Sequence, residues 1–444
     1  MSLEFGLGLT RYVLLAAYLG VYIAIALTII SRIEIGLIYF ALLLPQQNLL
    51  SRFEIYPLGT QVVHLFMAVL VIKWIVSNIR AGVPLLARTA VNWPLVAFIG
   101  WSYFELWWGT VYSGAPSPLG LTDPRFAEWK NLMIPFVLFF IAVNTIRTKT
   151  QMKWVVFAMV VSMLAMDRSF YANFFRPDHY DAALKASGRG AFTYLGANEL
   201  AAFYAMYSPM LISLFVLDRS MVRRVFYGIG IVGNIYSLLF LFSRGGYFAI
   251  VAGLLVLGLL RHRILLVVLI GVLLFWRSFI PIAVAERLDM TWNDDGPDRT
   301  TEERISMWKI GMNLIESSPA LGVGYDIIPQ LGIHDEVSGK LRRSLHNGYV
   351  SMMVELGAVG TAIWLIVFTS AGWMSWTVLR KSNDGFFKGL AAGTLACLAA
   401  TLVFNVSSEA WEYFTVMGFF WLMLALVARC RILMAEEQAT AKPV

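Results

Sequence analysis

Apolar residues along this chain fall in long runs rather than in alternation, and that spacing predicts an architecture before any composition is counted. Runs such as 225–242, 264–283 and 386–404 are close to the roughly 20 residues that one helical crossing of a hydrocarbon core needs. A membrane β-barrel would instead show short strands of alternating polarity. Crossings are read near 12–30, 34–45, 60–78, 91–110, 128–146, 152–170, 192–216, 225–242, 247–260, 264–283, 347–379, 386–404 and 410–428. The run 34–45 is short for an ordinary crossing, and 46–59 is a candidate re-entrant segment. The count is therefore twelve or thirteen, and the N-terminus stays unplaced. No internal repeat and no linker divides the chain. The expectation is an all-α polytopic membrane protein forming one integral membrane domain over 1–444.

One connection, 284–345, is large enough to fold by itself. Within it Thr300 and Glu303 have the spacing of a capping box, in which hydroxyl and carboxylate each satisfy a free backbone donor. The helix that follows carries Ile305, Trp308, Met312 and Ile315 on one stripe and stops at Ser318-Pro319. That stripe should rest on the membrane bundle. Arg304, one turn before Trp308, would then point inward.

Charge adds orientation. Basic residues gather at 147–153, at Arg219, Arg223 and Arg224, at Arg261 and Arg263, at Arg380, Lys381 and Lys388, and at Arg429 and Arg431. These five places alternate consistently along the chain, so the positive-inside bias reads them all as cytoplasmic. Segments 171–190, 243–246, 284–345 and 405–409 then lie outside. Composition agrees: 59% of residues are hydrophobic and 14% charged, against about a quarter charged in soluble chains. The first apolar run lacks a small-residue cleavage site and is followed at once by a second, unlike a cleavable signal peptide. The net charge of +7 reflects the same inside bias and implies no nucleic acid partner. Cys397 falls in an apolar run and Cys430 at a basic helix end, which supports neither a disulfide nor a metal cluster.

Four outside features carry candidate chemistry. Arg189 closes the loop 171–190, before a helix that opens Gly196-Ala197-Asn198-Glu199-Leu200-Ala201. Asn198 and Glu199 would sit about two turns into that membrane helix, where polar groups are costly and face the bundle interior or a wet cavity. Ser243-Arg244-Gly245-Gly246 makes a tight outside turn, an arginine against the charge bias. Arg304 is the third feature. The fourth is Leu345-His346-Asn347-Gly348-Tyr349, which starts a long helix continuing through Glu355, Gly357 and Gly360. Taken singly, each has a plain explanation: a snorkelling or headgroup-binding arginine, a helix-end hydrogen bond, a structural histidine. Of the other histidines, His64 reads as mid-membrane, His262 as cytoplasmic, and His179 and His334 as loop residues.

Taken together they suggest more. Guanidinium is a permanent cation whose planar fork matches phosphate oxygens. Two or three arginines converging at a membrane surface form a diphosphate clamp that stabilises a leaving diphosphate electrostatically. Imidazole is suited to deprotonate an attacking hydroxyl near neutral pH. Asp294-Asp295-Gly296-Pro297-Asp298 lacks the EF-hand ligand spacing and reads as a solvated acidic turn. No P-loop is present, and Gly322-Val323-Gly324-Tyr325 reads as a turn after Pro319. No cofactor and no metal are expected.

In this order the four features resemble the O-antigen ligase and O-antigen polymerase superfamily of bacterial envelope glycosyltransferases. The resemblance rests on Arg189 with Asn198-Glu199-Leu200-Ala201, on Ser243-Arg244-Gly245, on Arg304 through Trp308 to Pro319-Ala320-Leu321-Gly322-Val323-Gly324, and on His346-Asn347-Gly348-Tyr349 with Glu355-Leu356-Gly357. It is strongest over 185–365; the first 180 residues match only in hydropathy. It implies a GT-C-like bundle in the bacterial inner membrane with its active site facing the periplasm. Such a protein moves a glycan en bloc from undecaprenyl diphosphate to an acceptor sugar, on lipid A-core for a ligase or on another lipid-linked chain for a polymerase. Arg189 and Arg304 would hold the donor diphosphate, with Arg244 either joining them or structural, and His346 would be the base. Asn198, Glu199, Asn347 and Tyr349 would support them. A compact outer loop leans toward a ligase. The rival of another class is a lipid-linked glycan transporter, for which His64 and Glu105 are the polar membrane residues, but no halves repeat.

Overall fold

The computed structural model describes residues 10–114, 116–120, 123–174, 196–261, 263–279, 292–293, 296–297, 299–334, 337, 339, 341 and 343–440. The chain is an all-α polytopic membrane protein. Each run read as a crossing holds a helix: α1 (Thr10–Ile30), α2 (Ile33–Leu43), then after the short α3 (Gln47–Ser51), α4 (Val62–Arg80), α5 (Asn92–Ser113), α6 (Pro124–Thr145), α7 (Lys149–Phe174), α8 (Ala197–Leu217), α9 (Met221–Leu239), α10 (Arg244–Leu260) and α11 (Arg263–Leu274). After the one-turn α12 (Trp276–Phe279) come the amphipathic α13 (Arg299–Ser317), and then α14 (Gly348–Lys381), α15 (Gly385–Phe404) and α16 (Phe414–Thr440). Among the described residues eight helices are long and apolar enough to cross a membrane by themselves; α2, α10 and α11 are shorter apolar helices. A two-residue hairpin, Trp292–Asn293 against Gly296–Pro297, leads into α13.

The centre is built from α8, α15 and α16, whose spans are 72–78% buried, whereas α1 and α4 are 28% buried and lie at the periphery. Close approach explains the centre. Gly389 and Gly393 of α15 lie against Leu214 and Met210 of α8, and Gly253 of α10 meets Pro209 and Ala396. In a membrane, where apolar side chains gain nothing by leaving lipid, small residues drive packing by letting backbones approach.

The connections expected to share one side do meet at one end. Lys149 forms an ion pair with Asp384. Arg223 donates to both oxygens of Asp218 at 2.6 Å, and Lys153 sits over the Phe386 ring. Segments 147–153, 218–224 and 382–388 thus form a basic end, and the candidate site lies at the other.

Helix α14 is broken at Gly357, where φ is 64° and ψ −174°. Into the gap runs the stretch after Pro319. Val323 N–H donates to Val354 O at 2.7 Å and Gly324 N–H to Glu355 O at 3.2 Å, while Ala358 and Val359 N–H donate to Pro319 and Ala320 carbonyls. Trp101 Nε1 donates to Leu356 O and Trp108 Nε1 to Gly322 O, both at 3.0 Å. Every opened group is therefore satisfied within protein, the condition under which irregular backbone survives at membrane depth. The glycine pattern read as a simple turn is a backbone plug, and it needs glycine because a Cβ at Gly322 would strike the Gly357 backbone and one at Gly324 the Gly109 backbone.

Two expectations about α13 change. Its buried face is Met307, Ile310, Gly311 and Leu314, together with Ile315 of the expected stripe, packed on Leu345, Val350 and Val354, while Ile305 and Met312 are 38% and 50% exposed. Gly311 decides this rotation, since the Val350 and Leu345 side chains occupy the space a Cβ would take. The helix also begins at Arg299, fed by the hairpin, so Thr300 falls inside its first turn and is not the N-cap.

Candidate functional site

Arg244 is the first residue of α10. Ser243 is the N-cap: its Oγ accepts from Gly246 N–H at 3.4 Å and donates to Asn198 Oδ1 at 3.1 Å. That hydroxyl ties the start of α10 to the start of α8. Arg304 arrives from α13, and both arginines, with Asn198, Ser243, Gly245, Phe404 and Ser407, line one small pocket. Two cations from separate elements converge there, beside the positive end of the α10 dipole. The arrangement favours an anion. Arg189 lies outside the described residues.

Asn198 and Glu199 occupy the first turn of α8, not a position two turns in, because the helix is capped at Gly196. Glu199 folds back over Gly196, as a capping carboxylate does.

His346 is half-buried, with φ of 54°, in the left-handed region. Its N–H donates to Ser344 Oγ at 3.1 Å, and its Nδ1 lies 3.5 Å from the same oxygen. A side chain costs about 1–2 kcal/mol there, so something must hold the turn. Glu409 does. Its carboxylate accepts from the Ser344 hydroxyl, the Ser351 hydroxyl and Leu345 N–H, the last at 3.0 Å. Asn347 caps α14, accepting from Tyr349 and Val350 N–H at 3.0 and 3.2 Å. Tyr349 donates its hydroxyl to Leu402 O and sets its ring edge-on to Trp411. Both therefore place the helix start.

The pocket lined by the arginines does not include His346. The two are joined through one short segment: Phe404 and Ser407 line the pocket, while Asn405 and Ser408 carbonyls both accept Gly348 N–H at 2.8 Å. Residues 404–409 are thus a common wall.

A second group at this end is acidic. Asp326, Glu409 and Glu412 act on one another and on Glu355 and Glu128. Burial first, then the Glu128 charge, pushes the Asp326 carboxyl up to about 7, against the opposing pull of Arg125. Glu412 itself is exposed. Burial also raises Glu409, opposed by the two serine hydroxyls and the Leu345 amide. Among the described residues, no group of three His, Cys, Asp or Glu is arranged to hold a metal ion; Asp294, Asp295 and Asp298 lie outside them.

Sequence reasoning missed Glu409, Glu412 and Asp326. An acid in the short outer connection 405–413, between two strongly apolar runs, was a usable signal for Glu409. Asp326 offered none, since its role depends on charges from three other segments.

A family model described as O-antigen ligase matches residues 229–365, a stretch that contains Arg244, Arg304, His346 and Gly357. No curated protein matches the chain.

Proposed function

We propose, from the match of residues 229–365 to a family model described as O-antigen ligase, that this membrane protein moves a glycan en bloc from undecaprenyl diphosphate to an acceptor sugar, as an O-antigen ligase with lipid A-core as acceptor. The observation that carries this reading is the meeting of Arg244 and Arg304 in one pocket whose wall also anchors the His346 turn. On this reading the guanidinium groups, with Arg189, grip the donor diphosphate. The His346 imidazole takes the proton of an acceptor hydroxyl, and that oxygen attacks the anomeric carbon. The bond from that carbon to the diphosphate oxygen breaks, and the leaving charge stays with the arginines. One direct displacement with no carboxylate nucleophile inverts the anomeric centre. The arginines take the role a metal would have in screening the diphosphate, so the reaction is metal-independent. The pocket faces the periplasm of the bacterial inner membrane if the basic end is cytoplasmic.

Purified protein given labelled lipid-linked donor and lipid A-core should release undecaprenyl diphosphate and label the core. Lipid reorientation without transfer would sink the reading. A polymerase of the same superfamily is the alternative, and a deletion strain separates them. Polymer still on undecaprenyl marks a ligase; accumulated single-repeat donor marks a polymerase.

A further inference from the structure

A second polar cavity lies apart from the arginine pocket. It has about 500 Å³ of space and is walled by the stretch between α2 and α4, by the start of α4 and by α6. Arg52, Glu54, His64 and Asn131 supply its polar groups, and Leu50 and Phe414 are part of its apolar wall. His64 is the third residue of α4, near its site end and not mid-membrane.

The depth of this cavity follows from the contacts of the stretch that forms it. Gln46 Nε2 donates to Ser162 O at 2.9 Å. Ser162 is thirteen residues into α7 from the basic end, or about 20 Å at 1.5 Å per residue, within a hydrocarbon core about 30 Å thick. On the other flank the Tyr18 hydroxyl donates to Pro57 O at 2.5 Å, and the Tyr18 ring stacks on Tyr56. Tyr18 is well inside α1. Residues 46–61, which include the candidate re-entrant stretch 46–59, thus fold back among the helices at the site end, fixed by fully buried Phe53. Ile55 and Leu58, 68% and 62% exposed, face outward from it, as residues bordering lipid do. A cation, an imidazole and an amide converge in the cavity beside that segment, and polar groups placed in a membrane protein's interior face a wet cavity or a ligand. Exposed Glu54 and Thr60 mark the mouth, and the Lys130 charge is near enough to act on His64.

We propose that this cavity binds the phosphate-ester headgroup of a membrane lipid, with Arg52 as the phosphate ligand. His64 and Asn131 hydrogen-bond the ester from the opposite wall. Glu54 at the mouth receives the headgroup's ammonium or hydroxyl, and Leu50 and Phe414 cover the first carbons of the acyl chains. The volume suits a headgroup with its glycerol. Phe414 directly follows the connection 405–413, and Phe404 and Ser407 at its start line the arginine pocket, so a bound lipid would brace the loop that walls that pocket. The inference stands whether or not transfer occurs.

Native mass spectrometry of the full-length protein in detergent tests it, with short-chain phosphatidylethanolamine, diacylglycerol of equal chain length and water-soluble glycerophosphoethanolamine as probes. The phospholipid should bind, diacylglycerol should not, and Arg52→Gln should weaken phospholipid binding about tenfold or more, the loss of a charge-assisted hydrogen bond. Asn131→Leu, which fills the cavity from α6, should weaken it as well, so that one folded variant suffices. Equal binding of diacylglycerol, binding of the soluble headgroup but not the lipid, or unchanged binding in either folded variant would overturn the proposal.

Discussion

Glu409→Ala is the sharpest test of how the His346 turn is held. The substitution strands three donors: the Ser344 and Ser351 hydroxyls and the Leu345 amide. The hydroxyls can rotate toward other acceptors, but the buried amide cannot. Hydrogen bonds to a charged acceptor contribute about 1.5–3 kcal/mol each, and a buried group left unsatisfied costs about 1–3 kcal/mol. A net loss of about 3–5 kcal/mol is expected, as when one member of a buried charged cluster is removed. That loss exceeds the roughly 1–2 kcal/mol needed to hold a non-glycine residue at positive φ, so the turn should relax. The productive placement of His346 would then fall about 10–100-fold, since each 1.4 kcal/mol is a factor of ten. Glycan transfer by purified protein should show this in kcat, with KM for the lipid-linked donor little changed, because the arginine pocket keeps its lining. Glu409→Gln should lose less, since its amide oxygen can still accept from Leu345 N–H. Faster hydrogen exchange at the 345–346 amides would report the same loosening without any substrate. If the alanine variant folds, transfers at the unaltered rate and keeps these amides protected, the carboxylate does not hold the turn.

Arg304→Lys should cut transfer by about 10²-fold or more, in the range for loss of one transition-state donor, because an ammonium lacks the bidentate fork; near-normal rates would remove Arg304 from the clamp. Gly357→Ala should lower thermal stability by about 3 kcal/mol or more, read as a melting shift in detergent, because it combines positive φ with a collision at the Ala320 carbonyl. Asp326, raised to about 7 from about 3.9 in the unfolded chain, binds its proton more tightly when folded. Its contribution to stability should therefore be complete below pH 4, decline between pH 4 and 7 and level off above; melts at pH 5 and pH 8 should differ more for the native chain than for Asp326→Asn. A strong chelator added to purified enzyme should leave transfer intact, and loss restored by magnesium or manganese would overturn the metal-free mechanism.

Class, crossings and relative sidedness were legible in the chain, because each is a local property. Lipid demands a run of apolar residues within one segment, and basic residues mark their own connection. The stretch 46–59 stood out as a candidate re-entrant segment for the same reason, since the run 34–45 before it is short for an ordinary crossing. The pairing of Arg244 with Arg304 was legible only as an expectation from motif order.

The tertiary fold alone decided the rest. Which stripe of α13 is buried depended on Gly311 admitting Val350 and Leu345, a contact that the apolar pattern of the helix does not record. The break in α14 is stable only because a segment more than thirty residues upstream supplies its hydrogen bonds. Glu409 became an anchor by folding against donors some sixty positions away, and His64 joined Arg52 and Asn131 in one cavity from three elements. Burial and charge act through space, while the pattern of a sequence records neighbours along the chain.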